Sequence, residues 1–329
     1  MKISIIGGGS YGATLAQVLT DNKHEVLVYE VNEQTVNNIN NHFHPFLEEK
    51  LNDEIKATTD LKSVVDFSNY ILLVVPTSVT RIVLEQMKPL ITNKKVFINA
   101  SKGIEDKTFY RVSEIVEDVI DAQYIEAFVS ISGPSHAEEL SKRMLTTLVS
   151  TSTNEEYAKA VQLLFNNSNY LRVYRNTDLI GAEMGGSLKN IYALASGILT
   201  GLGFGDNARA ALMTRSLVEM NKIMIARGAK KETLIGLTGV GDLIVTCTST
   251  NSRNFQAGYK IGSGTDYVDA INSMTMTVEG AKTCVAAYHL SKELNIDTPI
   301  IDATYEVVYH KKDPKIVISE LLNRTLKEE

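Results

Sequence analysis

The chain is short of cysteine, of surplus positive charge and of long hydrophobic runs, and each shortage removes a class of function. Only Cys247 and Cys284 stand in 329 residues, too few for a disulfide framework and without metal-ligand spacing. They read as reduced thiols of a cytoplasmic protein, and no metal site is expected. With 33 Lys and Arg against 39 Asp and Glu, the formal net charge is −6. That balance argues against nucleic acid or an anionic membrane as the main partner. An anionic small molecule would need a local basic pocket. The apolar run "YILLVV" (70–75) is of strand length, and "MKISIIGGG" enters glycines too soon to be a signal peptide. Stable membrane insertion is therefore not expected. Internal repeats, low-complexity tracts and Pro-rich linkers are missing too.

What is present is ordinary globular composition, 44% hydrophobic and 22% charged. The first half alternates short β-branched runs with amphipathic stretches. The runs are 2–7, 25–30, 70–75, 95–100, 126–132, 146–151 and 171–175, and the stretches 11–21, 78–89, 109–120 and 154–165. Near-continuous apolar strands separated by helices predict a doubly wound, mostly parallel sheet of Rossmann type, covered on both faces. From about residue 178 the period changes to 3.6, over 178–201, 206–227, 279–293 and 315–327. The expected fold class is thus an α/β dinucleotide-binding domain (1–177) followed by an all-α substrate domain (178–329).

"ISIIGGGSYGATLAQVL" sets a G-x-G-x-x-G, Gly7, Gly9 and Gly12, between the first strand and a helix. The first glycine allows the tight turn, the second lets a pyrophosphate approach the backbone, and the third permits close helix–strand packing. Glu30 follows about 20 residues on, at the end of "EVLVYE", where a carboxylate accepts hydrogen bonds from the adenosine ribose and repels a 2′-phosphate. A solvated strand end is the plainer reading of Glu30. The ribose reading predicts NAD in preference to NADP.

"IGAEMGGSLKNIYALASGIL" (180–199) puts one lysine, Lys189, near the middle of a mostly apolar helix. Gly185, Gly186, Ala193, Ser196 and Gly197 form a strip of small residues around it, opposite a core stripe. The helix alone admits a lysine snorkelling to solvent beside a helix crossing, or one with a flat ligand against it. Three other segments supply polar groups. "INASKGIE" puts Lys102 just past a strand, at the sheet edge where α/β folds bind ligands, and "SISGPSHAEEL" does the same with Gly133 and Ser135. "GVGDLIVTCTSTNSRNFQAG" brings Asp242, then Ser252, Arg253 and Asn254 where a helix can begin, a good phosphate seat. Singly, each has a plain alternative: a surface lysine, a Ser-Pro turn, an N-cap aspartate. Jointly they suit hydride transfer to a small phosphorylated ketone.

The blocks "GGGSYGATLA" (7–16), "VVPTSV" (74–79), "SKGIE" (101–105), "SGPSHAEEL" (132–140), the run 185–220 beginning "GGSLKN", "GLTGVGDLIVTCTSTNSRN" (236–254) and "VEG" (278–280) occur in order across most of the chain. Together they resemble the bacterial-type NAD(P)-dependent sn-glycerol-3-phosphate dehydrogenases, which interconvert dihydroxyacetone phosphate and glycerol 3-phosphate. The resemblance implies Lys189 as catalytic acid and base, with Asp242 beside it. It implies substrate contacts from Lys102, Gly133, Ser135, Asn190, Asp242, Ser252, Arg253 and Asn254. Cofactor contacts fall on Ser10, Tyr11, Lys102, Ala137, Arg253, Thr277 and Glu279. It further implies a cytoplasmic, often dimeric enzyme that supplies glycerol phosphate for phospholipid synthesis. Two positions depart from the pattern. Val31 stands where many members carry an Arg or His that can meet a 2′-phosphate, and Thr277 where an aliphatic residue is common. A β-hydroxyacid or sugar-acid dehydrogenase is the rival enzyme reading, and a non-catalytic NAD(P)-binding redox sensor the rival from another class.

Overall fold

The computed structural model describes residues 1–274, 277–326 and 328. The chain divides into two compact units, one of residues 1–102 and 110–183, the other of 103–109 and 184–329. Strands β1 (Lys2–Ile6), β2 (Glu25–Tyr29), β3 (Lys56–Thr58), β4 (Tyr70–Leu73), β5 (Lys95–Asn99), β6 (Ile125–Ser132), β7 (Thr146–Thr151) and β8 (Leu171–Asn176) form one sheet in the first unit. Their order is β3-β2-β1-β4-β5-β6-β7-β8. All neighbours pair in parallel except β6 and β7, where Ser130 faces Thr151 and Ser132 faces Val149. The first six strands thus follow the doubly wound order of dinucleotide-binding sheets, and the expected Rossmann-type fold is the one found.

Helices α1 (Ser10–Asp21), α2 (Glu33–Asn40), α3 (Leu61–Phe67), α4 (Thr77–Met87), α5 (Val112–Val119), α6 (Ala137–Ser141) and α7 (Glu155–Phe165) belong to this unit. Strand alternation sorts its apolar side chains into two cores. Ile3, Ile5, Val28, Ile98 and Val129 join Leu15, Leu19, Val161 and Phe165 in one. Ile6, Ile71, Leu73 and Phe97 join Val64, Leu84, Ile115 and Val116 in the other. Burial on both faces is why these strands read as unbroken apolar runs. β3 escapes that signal: it is Lys-Ala-Thr, with one buried residue. Its place is set by pairing, Leu27 against Lys56 through Tyr29 against Thr58.

The second half is helical: α8 (Leu179–Gly201), α9 (Asp206–Ala226), α10 (Lys231–Leu234), α11 (Asp242–Thr248), α12 (Arg253–Gly262), α13 (Tyr267–Asn272), α14 (Glu279–Glu293), α15 (Pro299–Val308) and α16 (Pro314–Leu322). The expected segment 315–327 stops early, and its residue 327 lies outside the described residues. A single π-type turn, Leu237–Gly241, leads into α11. From Gly181 to Leu194, α8 is buried at every position, Glu183, Lys189 and Asn190 included. The glycines on α8 serve that packing. A Cβ at Gly197 would collide with Phe255 O of α12 and one at Gly201 with Tyr259 O. In return, Cβ atoms at Gly258 and Gly262 would strike Leu194 O and Ile198 O. Backbone therefore lies on backbone along the α8–α12 crossing, with the Ser196 hydroxyl donating to Cys247 O at 2.8 Å beside it. Among the described residues, no single helix is long and apolar enough to cross a membrane.

Candidate active site

In the first unit, β1 runs into Gly7, whose φ of +114° suits glycine and whose Cβ would lie 2.8 Å from Val74 O in the loop after β4. A Cβ at Gly12 would collide with Gly7 O, so the third glycine is required by close packing of the helix on the turn. Gly9 differs. A Cβ there would meet no protein atom within 4 Å, so nothing inside the fold demands glycine. An exposed glycine at the mouth of α1, where helix N–H groups lack intrahelical acceptors, fits approach by a pyrophosphate. Ser10 and Tyr11 form the first turn of that helix.

Glu30 follows β2. Its Oε2 accepts the Gly8 N–H at 2.9 Å and its Oε1 the Asn32 N–H at 3.0 Å. It is thus more than a solvated strand end, since it ties the glycine turn to the start of α2. Each carboxylate oxygen keeps a second lone pair for a ribose hydroxyl. Val31 beside it is largely exposed.

Four residues singled out from the sequence are joined at the carboxyl edge of the sheet. Gly133, with φ +142°, follows β6. Its carbonyl accepts the Lys102 ammonium at 3.2 Å and the Ser135 hydroxyl at 3.1 Å, and Ser135 Oγ lies 2.9 Å from Tyr11 Oη. Ala137 opens α6, and its carbonyl accepts from Thr14 of α1 at 3.4 Å.

In the second unit, Lys189 does not snorkel. It is 4% exposed. Its Nζ donates to Asp242 Oδ1 and, at 2.7 Å, to the Thr246 hydroxyl. Thr246 in turn donates to the Asp242 carbonyl at 2.5 Å. Asp242 begins α11, so a residue four further on lies over it on the same helix face. That spacing was the one signal for Thr246, which sequence reasoning missed. Nearby Cys247 carries a thiol that burial pushes up to about 12, against the pull of the Lys189 charge. It stays a neutral thiol and no nucleophile.

One residue beyond Lys189, Asn190 Oδ1 accepts from Asn254 Nδ2 at 3.0 Å, and Asn254 Oδ1 accepts the Gly280 N–H at 2.8 Å. This places Glu279, first residue of α14, next to the start of α12. Ser252 caps α12, accepting the Phe255 N–H at 3.3 Å, and Arg253 is that helix's first residue. Thr277 is exposed. Gly185, on the strip that the sequence leaves open to a ligand or to a helix crossing, faces protein: a Cβ there would lie 2.6 Å from Thr238 O of the π-type turn. Its smallness brings the turn that carries Asp242 close to α8.

A doubly wound sheet with this glycine turn, and a helical unit with a buried lysine–carboxylate–hydroxyl cluster, define a dinucleotide-dependent oxidoreductase. The family patterns described as "NAD-dependent glycerol-3-phosphate dehydrogenase N-terminus" and "C-terminus" match residues 2–158 and 178–319. The chain belongs to that family. It is 52% identical over 329 residues to the glycerol-3-phosphate dehydrogenase [NAD(P)+] of Acholeplasma laidlawii, covering 100% of this chain and 99% of that one. It is 46% identical over 331 residues to the enzyme of the same name from Staphylococcus saprophyticus, with the same coverage. The crystal structure of a glycerol-3-phosphate dehydrogenase from Coxiella burnetii superposes with a TM-score of 0.92 at 34% identity, covering 98% of this chain and 99% of that one.

Proposed function

We propose that this NAD(P)-dependent enzyme reduces dihydroxyacetone phosphate reversibly to sn-glycerol 3-phosphate, with cofactor binding assigned to residues 1–177 and acid–base chemistry to 178–329. The observation that carries the reading is the buried Lys189–Asp242–Thr246 cluster in a chain related to glycerol-3-phosphate dehydrogenases along its whole length. When bound at the glycine turn, NAD(P)H would supply the hydride. Lys189, as the ammonium, hydrogen-bonds the C2 carbonyl oxygen and gives it a proton as negative charge develops there. In the oxidising direction, neutral Lys189 takes that proton back. Asp242 and Thr246 hold Nζ in one orientation, as an orienting pair does for a general base.

The phosphate is assigned to Ser252, Arg253 and Asn254 at the start of α12, where the cation and helix N–H groups suit a dianion. Lys102, Gly133, Ser135 and Asn190 complete the substrate assignment. Gly7, Gly9, Ser10, Tyr11, Gly12, Glu30, Lys102, Ala137, Arg253, Thr277 and Glu279 are assigned to the cofactor. Glu30, with Val31 after it, supports NADH over NADPH. We further assign the enzyme to the cytoplasm, to glycerophospholipid synthesis and to a homodimer. A hydroxyacid dehydrogenase has no use for a phosphate seat, and a redox sensor none for a buried acid–base cluster.

The test follows oxidation of NADH and NADPH, separately, with dihydroxyacetone phosphate and with short β-hydroxyacid or ketoacid substrates. Turnover of the phosphorylated ketone with NADH favoured is the expected result. Turnover of the acids alone would overturn it.

A further inference from the structure

One buried imidazole beneath the glycine turn has no part in the site described above. His44 lies in the segment between α2 and β3 and is 2% exposed. That segment is tied to the fold on either side of it: Leu47 and Leu51 enter the core, and the Asn52 N–H donates to Gln17 Oε1 of α1 at 2.7 Å. The ring reaches two backbone groups. Its Nε2 is 3.2 Å from Gly8 O, and its Nδ1 is 3.4 Å from the Phe46 N–H. A peptide N–H can only donate, so Nδ1 is the acceptor. The neutral ring then carries its proton on Nε2 and donates it to the Gly8 carbonyl. Burial lowers the pKa of His44 below the ordinary imidazole value, which favours the same neutral form.

Gly8 is therefore gripped at both ends, its N–H by Glu30 Oε2 and its carbonyl by His44. The second grip has a consequence for Gly9. In a trans peptide the C=O and N–H vectors are antiparallel, so fixing the Gly8 carbonyl toward the buried ring aims the Gly9 N–H away from it. Gly9 is also the turn glycine at which a Cβ would meet nothing. We infer that His44 is a positioning residue for the cofactor: through the Gly8–Gly9 peptide it aims the Gly9 N–H at the dinucleotide pyrophosphate. The inference rests on the reading of this turn as the dinucleotide seat.

Two variants test it, with the dissociation constant of NADH measured directly by fluorescence titration beside steady-state kinetics. His44→Leu keeps bulk and removes the donor, whereas His44→Gln keeps an N–H within reach of Gly8 O. For His44→Leu we expect the NADH dissociation constant and KM to rise about tenfold, with kcat and the KM for dihydroxyacetone phosphate within about twofold of the parent chain. His44→Gln should restore most of the NADH affinity. A merely structural role would lower thermal stability in both variants without a selective loss of NADH affinity, or would lower kcat and both affinities together, and either result overturns the inference. Unchanged NADH binding by His44→Leu overturns it as well. If the leucine variant does not fold, nitrogen NMR of ring-labelled histidine in the unaltered chain decides: a proton on Nε2 alone is expected, and one on Nδ1 alone overturns it. Should the unaltered chain itself fail to bind NADH, the parent reading of the turn fails, an outcome distinct from failure of the His44 inference.

Discussion

Lys189 carries its charge where water does not reach, and the cost of a buried charge is met by a carboxylate and a hydroxyl held on α11. On the proposed mechanism, removing the ammonium removes the proton donor to the carbonyl oxygen. Lys189→Met should therefore lower kcat by about a thousandfold or more, the scale of lost general acid–base catalysis, while the dissociation constant of NADH stays within about threefold. A variant with most of its rate intact would remove Lys189 from the chemistry. Thr246→Val tests the orienting role separately: kcat should fall by about tenfold, the scale of one buried hydrogen bond, with the KM values little changed. Arg253→Ala should act on capture instead, raising the KM for dihydroxyacetone phosphate by about 2–4 kcal/mol in binding terms if the pair is desolvated. Lys189, Asp242 and the Ser252–Asn254 run at the start of α12 could be singled out in the sequence because charged and polar residues stand out against apolar neighbours. Thr246 and His44 were not, because a threonine inside a helix and a lone histidine in a loop carry no pattern until the fold sets them beside Asp242 and Gly8.

At the scale of elements, the strands on which both faces are buried could be read as runs, and β3 could not, since pairing with β2 and not composition places it. The small-residue strip on α8 was legible as a feature and ambiguous as to cause. Backbone contact with α12 and with the turn before α11 accounts for Gly185, Gly197 and Gly201. Gly258→Val should consequently destabilise the second unit severely, because its branched Cβ would strike the Leu194 carbonyl; a loss of about 3 kcal/mol or more is expected in denaturant unfolding. A second helix junction responds to pH. Glu219 of α9, 3% exposed, accepts the Ile300 and Ile301 N–H groups at 2.7 and 3.2 Å, capping α15 from outside that helix. Burial nonetheless pushes its carboxyl up to about 7, against the pull of those two donors. The folded chain then holds a proton that the unfolded chain has released by about pH 4.3. The sign follows from linkage: this contribution to stability is complete below about pH 4.3 and is lost progressively as pH rises from there to about 7, by up to about 3 kcal/mol. Glu219→Gln cannot titrate, so the slope of Tm against pH between 5 and 8 should flatten in that variant. An unchanged slope would place the proton elsewhere.

At the scale of the whole molecule, a chain of net charge −6 handles ligands that are themselves anions. Its overall field opposes them, so affinity has to come from local groups, a part we propose for the helix N-termini, Lys102 and Arg253. The same reasoning separates the two cofactors, because NADPH adds a 2′-phosphate where this chain offers Glu30 and an exposed Val31. Ligand linkage turns that difference into a stability measurement on the intact chain. A ligand that binds only the folded state, present at a hundredfold excess over its dissociation constant, adds about 2.7 kcal/mol. At equal concentrations NADH should therefore raise Tm more than NADPH does. Removing the carboxylate while keeping a polar side chain, in Glu30→Gln, should narrow the gap, since the repulsion of the 2′-phosphate goes with the charge. Equal shifts for the two cofactors in the unaltered chain would mean that Glu30 serves only to hold the Gly8 and Asn32 N–H groups, as its two backbone hydrogen bonds already do.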